Sequence, residues 1–260
     1  MTIEPDNRFR TRTPSSPARD PFAGLRVAIT GGTSGLGLAL VRELRHRGSR
    51  VAFVARGRDA VRRVAREHAD VYGIVGDVSK KEDIYPIAVQ ILGGLGGLDV
   101  LVNNASHLGP TPLALLADTD CEDVERALAT NLLGPFRLTK ALLGALAASV
   151  RDGSKALVVN ISSDAAVNPY PGWGAYGASK AALHHLSRIW NEELAAEGVA
   201  VLSFDPGDMD TPLHAVAVPD ADRTQLKRPE TAARELTKTI EAVLTQQAVH
   251  SEVAITESVG

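Results

Sequence analysis

The chain has 260 residues, 44% of them apolar, which allows one sizeable core or two small ones. Its formal charge of −3 leaves no electrostatic footprint for nucleic acid or an anionic membrane surface, and no apolar run has the length of a membrane span. A single cysteine, Cys121, excludes an internal disulfide, fits a reducing, cytoplasmic compartment, and sits among acidic residues that make it a poor nucleophile.

Residues 1–21 are polar and proline-dotted, with Arg8, Arg10 and Arg12 and no apolar core of the signal-peptide kind. They predict a flexible extension, or a basic arm that touches a partner subunit. Short apolar runs then alternate with helical stretches. Strands are predicted over residues 27–30, 51–54, 71–75, 100–102, 156–160 and 199–204. Helices are predicted over residues 36–47, 59–69, 81–92, 122–148 and 176–197. Continuous apolar strands alternating with helices imply an α/β fold, a doubly wound parallel sheet with helices on both faces. No linker divides residues 22–260, so they predict one domain. Residues 208–228 are rich in Pro, Asp and His, follow a strand end and predict a substrate lid. A helix follows over 229–246 with Pro at its first turn, and residues 252–256 predict a last edge strand.

Thr30-Gly31-Gly32-Thr33-Ser34-Gly35-Leu36-Gly37 follows the first strand and opens a helix. In that context backbone N–H groups and a helix N-terminus hold a pyrophosphate. Gly31 permits the turn, Gly35 lets the backbone approach phosphate, and Gly37 lets helix and sheet pack closely. After the second strand, a carboxylate would bond the adenosine ribose hydroxyls; this chain has Arg56, with Arg58 close behind. Arginine suits a 2′-phosphate because its planar fork bonds two oxygens, and Ser34 can add a hydroxyl. The expected cofactor is NADP(H) rather than NAD(H).

Tyr176 and Lys180 stand four apart on a predicted helix and so share a face. An ammonium near a phenol favours the phenolate and lowers its pKa, which suits proton transfer in carbonyl reduction or alcohol oxidation.

With the glycine loop and this pair both placed, residues 25–213 resemble the short-chain dehydrogenase/reductase family. Further blocks match that family in order. Asp77-Val78 corresponds to its adenine contact. Asn103-Asn104-Ala105-Ser106 is similar to its Asn-Asn-Ala-Gly block, with Ser106 in place of glycine. Asn131 matches its catalytic asparagine. Ser163, thirteen residues before Tyr176, matches its catalytic serine, with Ser162 beside it as the less favoured hydroxyl. Pro206, Gly207, Met209 and Thr211 fall in the segment that embraces the nicotinamide. The resemblance implies a Rossmann-like fold and a tetrad of Asn131, Ser163, Tyr176 and Lys180. In that reading Tyr176 protonates the carbonyl oxygen, Lys180 lowers its pKa and holds the ribose, Ser163 stabilises the developing negative charge, and Asn131 keeps a water beside Lys180. Cofactor contacts are implied at Gly31, Thr33, Ser34, Gly35, Leu36, Gly37, Arg56, Asp77, Val78, Asn103 and Ala105, besides Tyr176, Lys180 and the nicotinamide segment. The family's final Asp-Gly-Gly is missing. The stretches around Ser162-Ser163-Asp164, Gly172-Trp173-Gly174 and Asp210-Thr211 look like the sepiapterin-reductase and benzil-reductase branch, which reduces vicinal dicarbonyls with NADPH.

Ser106, His107, Asp164, Trp173 and His214 are the candidate substrate-pocket residues, and no metal-ligand spacing is present. The leading expectation is an NADPH-dependent reductase of a small-molecule carbonyl compound. A binding module of the same fold without catalysis is the alternative, and a sugar-nucleotide epimerase fits the glycine spacing poorly. The resemblance also implies a homodimer or homotetramer formed through the helices over 122–148 and 176–197.

Overall fold

The computed structural model describes residues 20–68 and 70–257, with side chains to Thr245. Its sheet has six parallel strands in the order β3-β2-β1-β4-β5-β6. They are β1 (Arg26–Thr30), β2 (Arg50–Ala55), β3 (Val71–Val75), β4 (Val100–Asn103), β5 (Ala156–Ile161) and β6 (Val199–Phe204). Each of the six strands expected between residues 27 and 204 is present within two residues. Period-two alternation divides them between two cores. Val27, Ile29, Phe53 and Val102 face one side, and Ala28, Val54, Leu101 and Val158 the other.

The first face is covered by α1 (Gly35–His46), α2 (Arg58–Glu67) and α8 (Pro229–Glu257), the last through Ala232, Leu236 and Ile240. The second is covered by α3 (Lys81–Leu95), α5 (Gly134–Arg151) and α6 (Gly174–Leu194), with Ile87, Ile91, Leu138 and Leu142 fully buried. Burial of that many aliphatic side chains, each worth about 1.5–3 kcal/mol, dominates the stabilisation of both layers.

Two expectations on helices are corrected. The helix over 122–148 is three pieces: α4 (Cys121–Leu128), a π-helical turn Ala129–Leu133, and α5. The edge strand at 252–256 is instead part of α8, because no Gly or Pro interrupts the helix after Pro229 before it ends at Glu257. Residues 208–228 hold a short helix, α7 (Pro212–Ala217), and are tied at the base by an isolated Met209–Lys227 bridge. The expectation for the N-terminal extension lies outside the described residues except at Asp20 and Pro21. Asp20 is ion-paired to Arg47, and the adjoining Phe22 is fully buried.

Candidate active site

Strand order reverses between β1 and β4, and the crevice of an open α/β sheet opens at the carboxyl ends of such strands. Here Thr30 Oγ1 accepts from the backbone N–H groups of Asn104 and Ala105 at 2.9 and 3.0 Å. Asn104 Nδ2 donates back to the Thr30 carbonyl at 2.9 Å. The loops after β1 and β4 are thereby locked together. The cleft above them has a volume of about 800 Å³. It extends from Arg56 and Asp77, past Gly31 and Gly35, to Tyr176 and the 208–228 segment.

The glycine turn fits a pyrophosphate on its own geometry. Gly31 has φ +73°, and a Cβ there would come within 2.9 Å of Asn104 Nδ2. A Cβ on Gly37 would stand 2.2 Å from the Gly31 carbonyl oxygen, so only glycine lets α1 start this close to the turn. Ser34 is the N-cap of α1, yet no side chain caps the helix, which leaves its first N–H groups turned to the cleft. Thr33, Ser34, Gly35 and Leu36 line the cleft, whereas Gly37 sits behind it as a packing residue. Arg56 lines the far end, exposed and without an ion pair among the described residues. Asp77 and Val78 line it too, and Asp77 Oδ1 is held by the Ser79 hydroxyl at 2.7 Å.

Asn103 is corrected as a cofactor contact. As the last residue of β4 it points into the layer below, where Nδ2 donates to Asn160 Oδ1 at 2.8 Å and to Thr139 Oγ1 at 3.2 Å. Its neighbour Asn104 lines the cleft instead. One step along the chain exchanged the two roles, a parity that a motif match does not carry.

Ser163, Tyr176 and Lys180 converge on the cleft wall, from the end of β5 and from α6. The Ser163 and Ser106 hydroxyls stand near the Tyr176 phenol. Burial pushes it above its usual value, and those two hydroxyls oppose the rise. Lys180 is fully buried; its Nζ donates to the Ile161 carbonyl at 2.7 Å and lies 5.6 Å from the centre of the Tyr176 ring. Burial lowers Lys180 from 10.5 to about 8, against a smaller opposing pull from Asp205. Desolvation is the largest influence on the phenol and acts in the direction opposite to the acidified phenol expected from helical spacing. A phenol that stays protonated at neutral pH is the form that can give a proton.

Asn131 lies behind the cleft in the π turn. Its Oδ1 accepts from the His107 N–H at 2.8 Å and from Ser106 Oγ at 3.2 Å. Its Nδ2 donates to the His107 carbonyl and to Ser179 Oγ, both at 2.8 Å. Ser179 in turn donates to the Tyr176 carbonyl at 2.6 Å. Four bonds exhaust its amide side chain, which clamps the β4 loop to α6; a water beside Lys180 would have to be held by its main chain. π turns recur at functional sites because the extra residue re-aims a side chain.

Of the expected pocket residues, Ser106, Asp164, Trp173 and His214 line the cleft, while His107 does not. Its Nδ1 accepts from the Gly109 N–H, and burial and then the Arg56 charge hold the imidazole below its usual value. Trp173 meets Tyr176 edge-on, with centroids 5.6 Å apart. Ala105, Pro206, Gly207, Met209 and Thr211 also line the cleft. The sequence reading missed Asn104, Ser179, Tyr170 and Asp205. The doubled Asn and the Ser just before Lys180 were the available signals for the first two. No group of three or more residues that could hold a metal ion occurs among the described residues, and no described helix is long and apolar enough to cross a membrane.

A dinucleotide cradle joined to a Ser/Tyr/Lys wall defines a nicotinamide-dependent oxidoreductase. The short chain dehydrogenase family model matches residues 26–222. The very-long-chain 3-oxoacyl-CoA reductase of Anas platyrhynchos is 32% identical over 226 residues, covering 84% of this chain and 69% of that protein. The structure of a 3-ketoacyl-(acyl-carrier-protein) reductase from Brucella melitensis complexed with NADH superposes with a TM-score of 0.77 at 25% identity, covering 83% of this chain and 90% of that one. An alcohol dehydrogenase from Thermococcus sibiricus complexed with 5-hydroxy-NADP superposes with a TM-score of 0.72 at 28% identity, covering 84% and 91%. The chain belongs to the short-chain dehydrogenase/reductase family and is an NAD(P)-dependent enzyme of it.

Proposed function

We propose that the enzyme reduces a ketone or aldehyde to an alcohol, with NADPH as the preferred donor. The observation that carries this is the meeting of Ser163, Tyr176 and Lys180 on one wall of the cleft that begins at the glycine turn. A nicotinamide bound in this cleft would supply the hydride for the carbonyl carbon. Tyr176 gives its proton to the carbonyl oxygen, the phenol being protonated at neutral pH. Ser163 donates to the same oxygen as negative charge grows there. Lys180 spends one N–H on Ile161, which leaves two donors for the ribose hydroxyls. Asn131 is a positioning residue, acting through the His107 backbone and Ser179.

Arg56 supports the choice of NADPH, since a guanidinium rather than a carboxylate stands where the adenosine ribose is selected. Gly31, Thr33, Ser34, Gly35, Leu36, Asp77, Val78 and Ala105 bind the rest of the dinucleotide, and Met209 and Thr211 close over the nicotinamide. The local likeness to dicarbonyl reductases places a vicinal dicarbonyl in the first substrate panel. Assembly is a homodimer or homotetramer through α5 and α6, where Phe136 and Trp190 stack 5.3 Å apart beside an apolar hollow. The setting is cytoplasmic, which the single exposed Cys121 suits.

The test is absorbance of NADPH and NADH against ketones, aldehydes and diketones. Consumption with at least one carbonyl, faster with NADPH at low concentration, is expected. No consumption despite measurable NADPH binding favours the non-catalytic binding module. Tighter binding of NADH refutes the cofactor assignment.

A further inference from the structure

Asp164 has both carboxylate oxygens engaged by hydroxyls of the cleft. Oδ1 accepts from Ser163 Oγ at 3.0 Å, and Oδ2 accepts from the Tyr170 hydroxyl at 2.7 Å. No cation is paired with it among the described residues. Ser163 has a single O–H, and its oxygen already accepts the Ala165 N–H at 3.2 Å. When that O–H turns to a carbonyl oxygen, Asp164 loses a partner inside the cleft. A half-buried carboxylate stripped of a donor costs free energy that a neutral ketone has no means to offset. A second carbonyl placed there would oppose lone pairs to lone pairs.

The charges around it act in the same sense. Asp205, Asp208 and Asp222 line the same end of the cleft. The nearby cations are already neutralised, Arg223 by Asp210 at 2.7 Å and Lys227 by Glu235 at 2.7 Å. Arg56 belongs to the opposite end, and Lys180 is fully buried. The remaining walls carry the apolar Trp173, Leu213, Ala217 and Val218, with His214 beside Asp208 at 4.0 Å. An anionic carrier group at this mouth meets carboxylates, whereas a cation gains from all of them.

From these contacts we infer that the substrate is an apolar ketone bearing a protonated amine one or two carbons from its carbonyl, and that Asp164 selects it. This rests on the ketone-reductase reading of the site. As Ser163 turns to the carbonyl oxygen, the ammonium takes its place on Asp164, about one hydrogen bond away. The aromatic or aliphatic remainder lies against Trp173 and α7. Charge-assisted bonds are roughly twice as strong as neutral ones, so an ammonium outcompetes a hydroxyl at this position.

The test compares three ketones of equal size: α-aminoacetophenone, α-hydroxyacetophenone and propiophenone, each with NADPH. The wild type is expected to show a kcat/KM for the amine at least about tenfold above that for propiophenone, with the alcohol between. Asp164→Asn is expected to shrink the amine-to-propiophenone ratio about tenfold, which separates recognition from the amine's intrinsic activation of the carbonyl. Tyr170→Phe removes the competing hydroxyl and raises the same ratio a few-fold. NADPH binding by fluorescence reports that each variant is folded, and Tyr170→Phe carries the test alone if Asp164→Asn is not. Preference for propiophenone or the alcohol in the wild type, or a ratio unmoved in a folded variant, overturns the inference while leaving the reductase reading intact. Failure of the wild type with these and every other ketone overturns both.

Discussion

Lys180→Met should stabilise the protein at neutral pH relative to its behaviour at high pH, and the size follows from the burial of the ammonium. Desolvation lowers Lys180 from 10.5 to about 8 in the folded chain. Between those two values the unfolded chain holds a proton that the folded chain has released, so raising the pH favours folding. Below about pH 8 the folded state carries the full cost of the buried charge, and that cost disappears by about pH 10.5. The gap corresponds to about 3 kcal/mol. Methionine has a similar length and no charge, but it leaves the Ile161 carbonyl without its donor, a loss of about 1–3 kcal/mol that does not depend on pH. Urea unfolding of both proteins at closely spaced pH values between 7 and 10.5 measures the difference, in which titrations shared by the two cancel. The wild type should gain about 3 kcal/mol on the variant across that range. A difference independent of pH would mean that Lys180 is well solvated, and the picture of a catalytic ammonium held at a stability cost would be wrong.

Three further outcomes are expected. Arg56→Glu should weaken NADPH binding at least tenfold and narrow or reverse the preference over NADH, as read by fluorescence titration with each cofactor. Asn131→Ala removes four hydrogen bonds from the π turn and should cost about 2–4 kcal/mol in urea unfolding while lowering kcat more than it raises KM. In the reductive direction, kcat/KM for NADPH should fall above about pH 8 as Lys180 loses its charge, and a profile flat to pH 10 would remove Lys180 from cofactor binding.

The sheet was legible because strands buried on both faces read as continuous apolar runs, such as Ala156 to Ile161. The cradle was legible because its glycines meet a steric demand that no other residue satisfies, most sharply at Gly37. Other features were hidden for physical reasons. A π turn adds one residue to a helix without leaving a gap in the apolar pattern, so α4 and α5 read as a single element. Helical spacing placed Lys180 beside Tyr176 but carried no information on desolvation, which reversed the direction expected for the phenol. The Ser106 substitution had no visible purpose until its hydroxyl was found bonded to Asn131 Oδ1, near the Tyr176 phenol. At the C-terminal end, a short β-branched stretch suggested a strand, yet the sheet ends at β6 and α8 continues through it.

In the proposed reaction the Tyr176 hydroxyl delivers the proton within the cleft that would hold the nicotinamide. Single-turnover reduction by Tyr176→Phe preloaded with NADPH tests it most directly, because binding and chemistry are read in one experiment. Wild-type cofactor affinity within a few-fold and a hydride-transfer rate at least about a hundredfold slower are expected. Reduction at the wild-type rate by the phenylalanine enzyme would contradict this role of Tyr176.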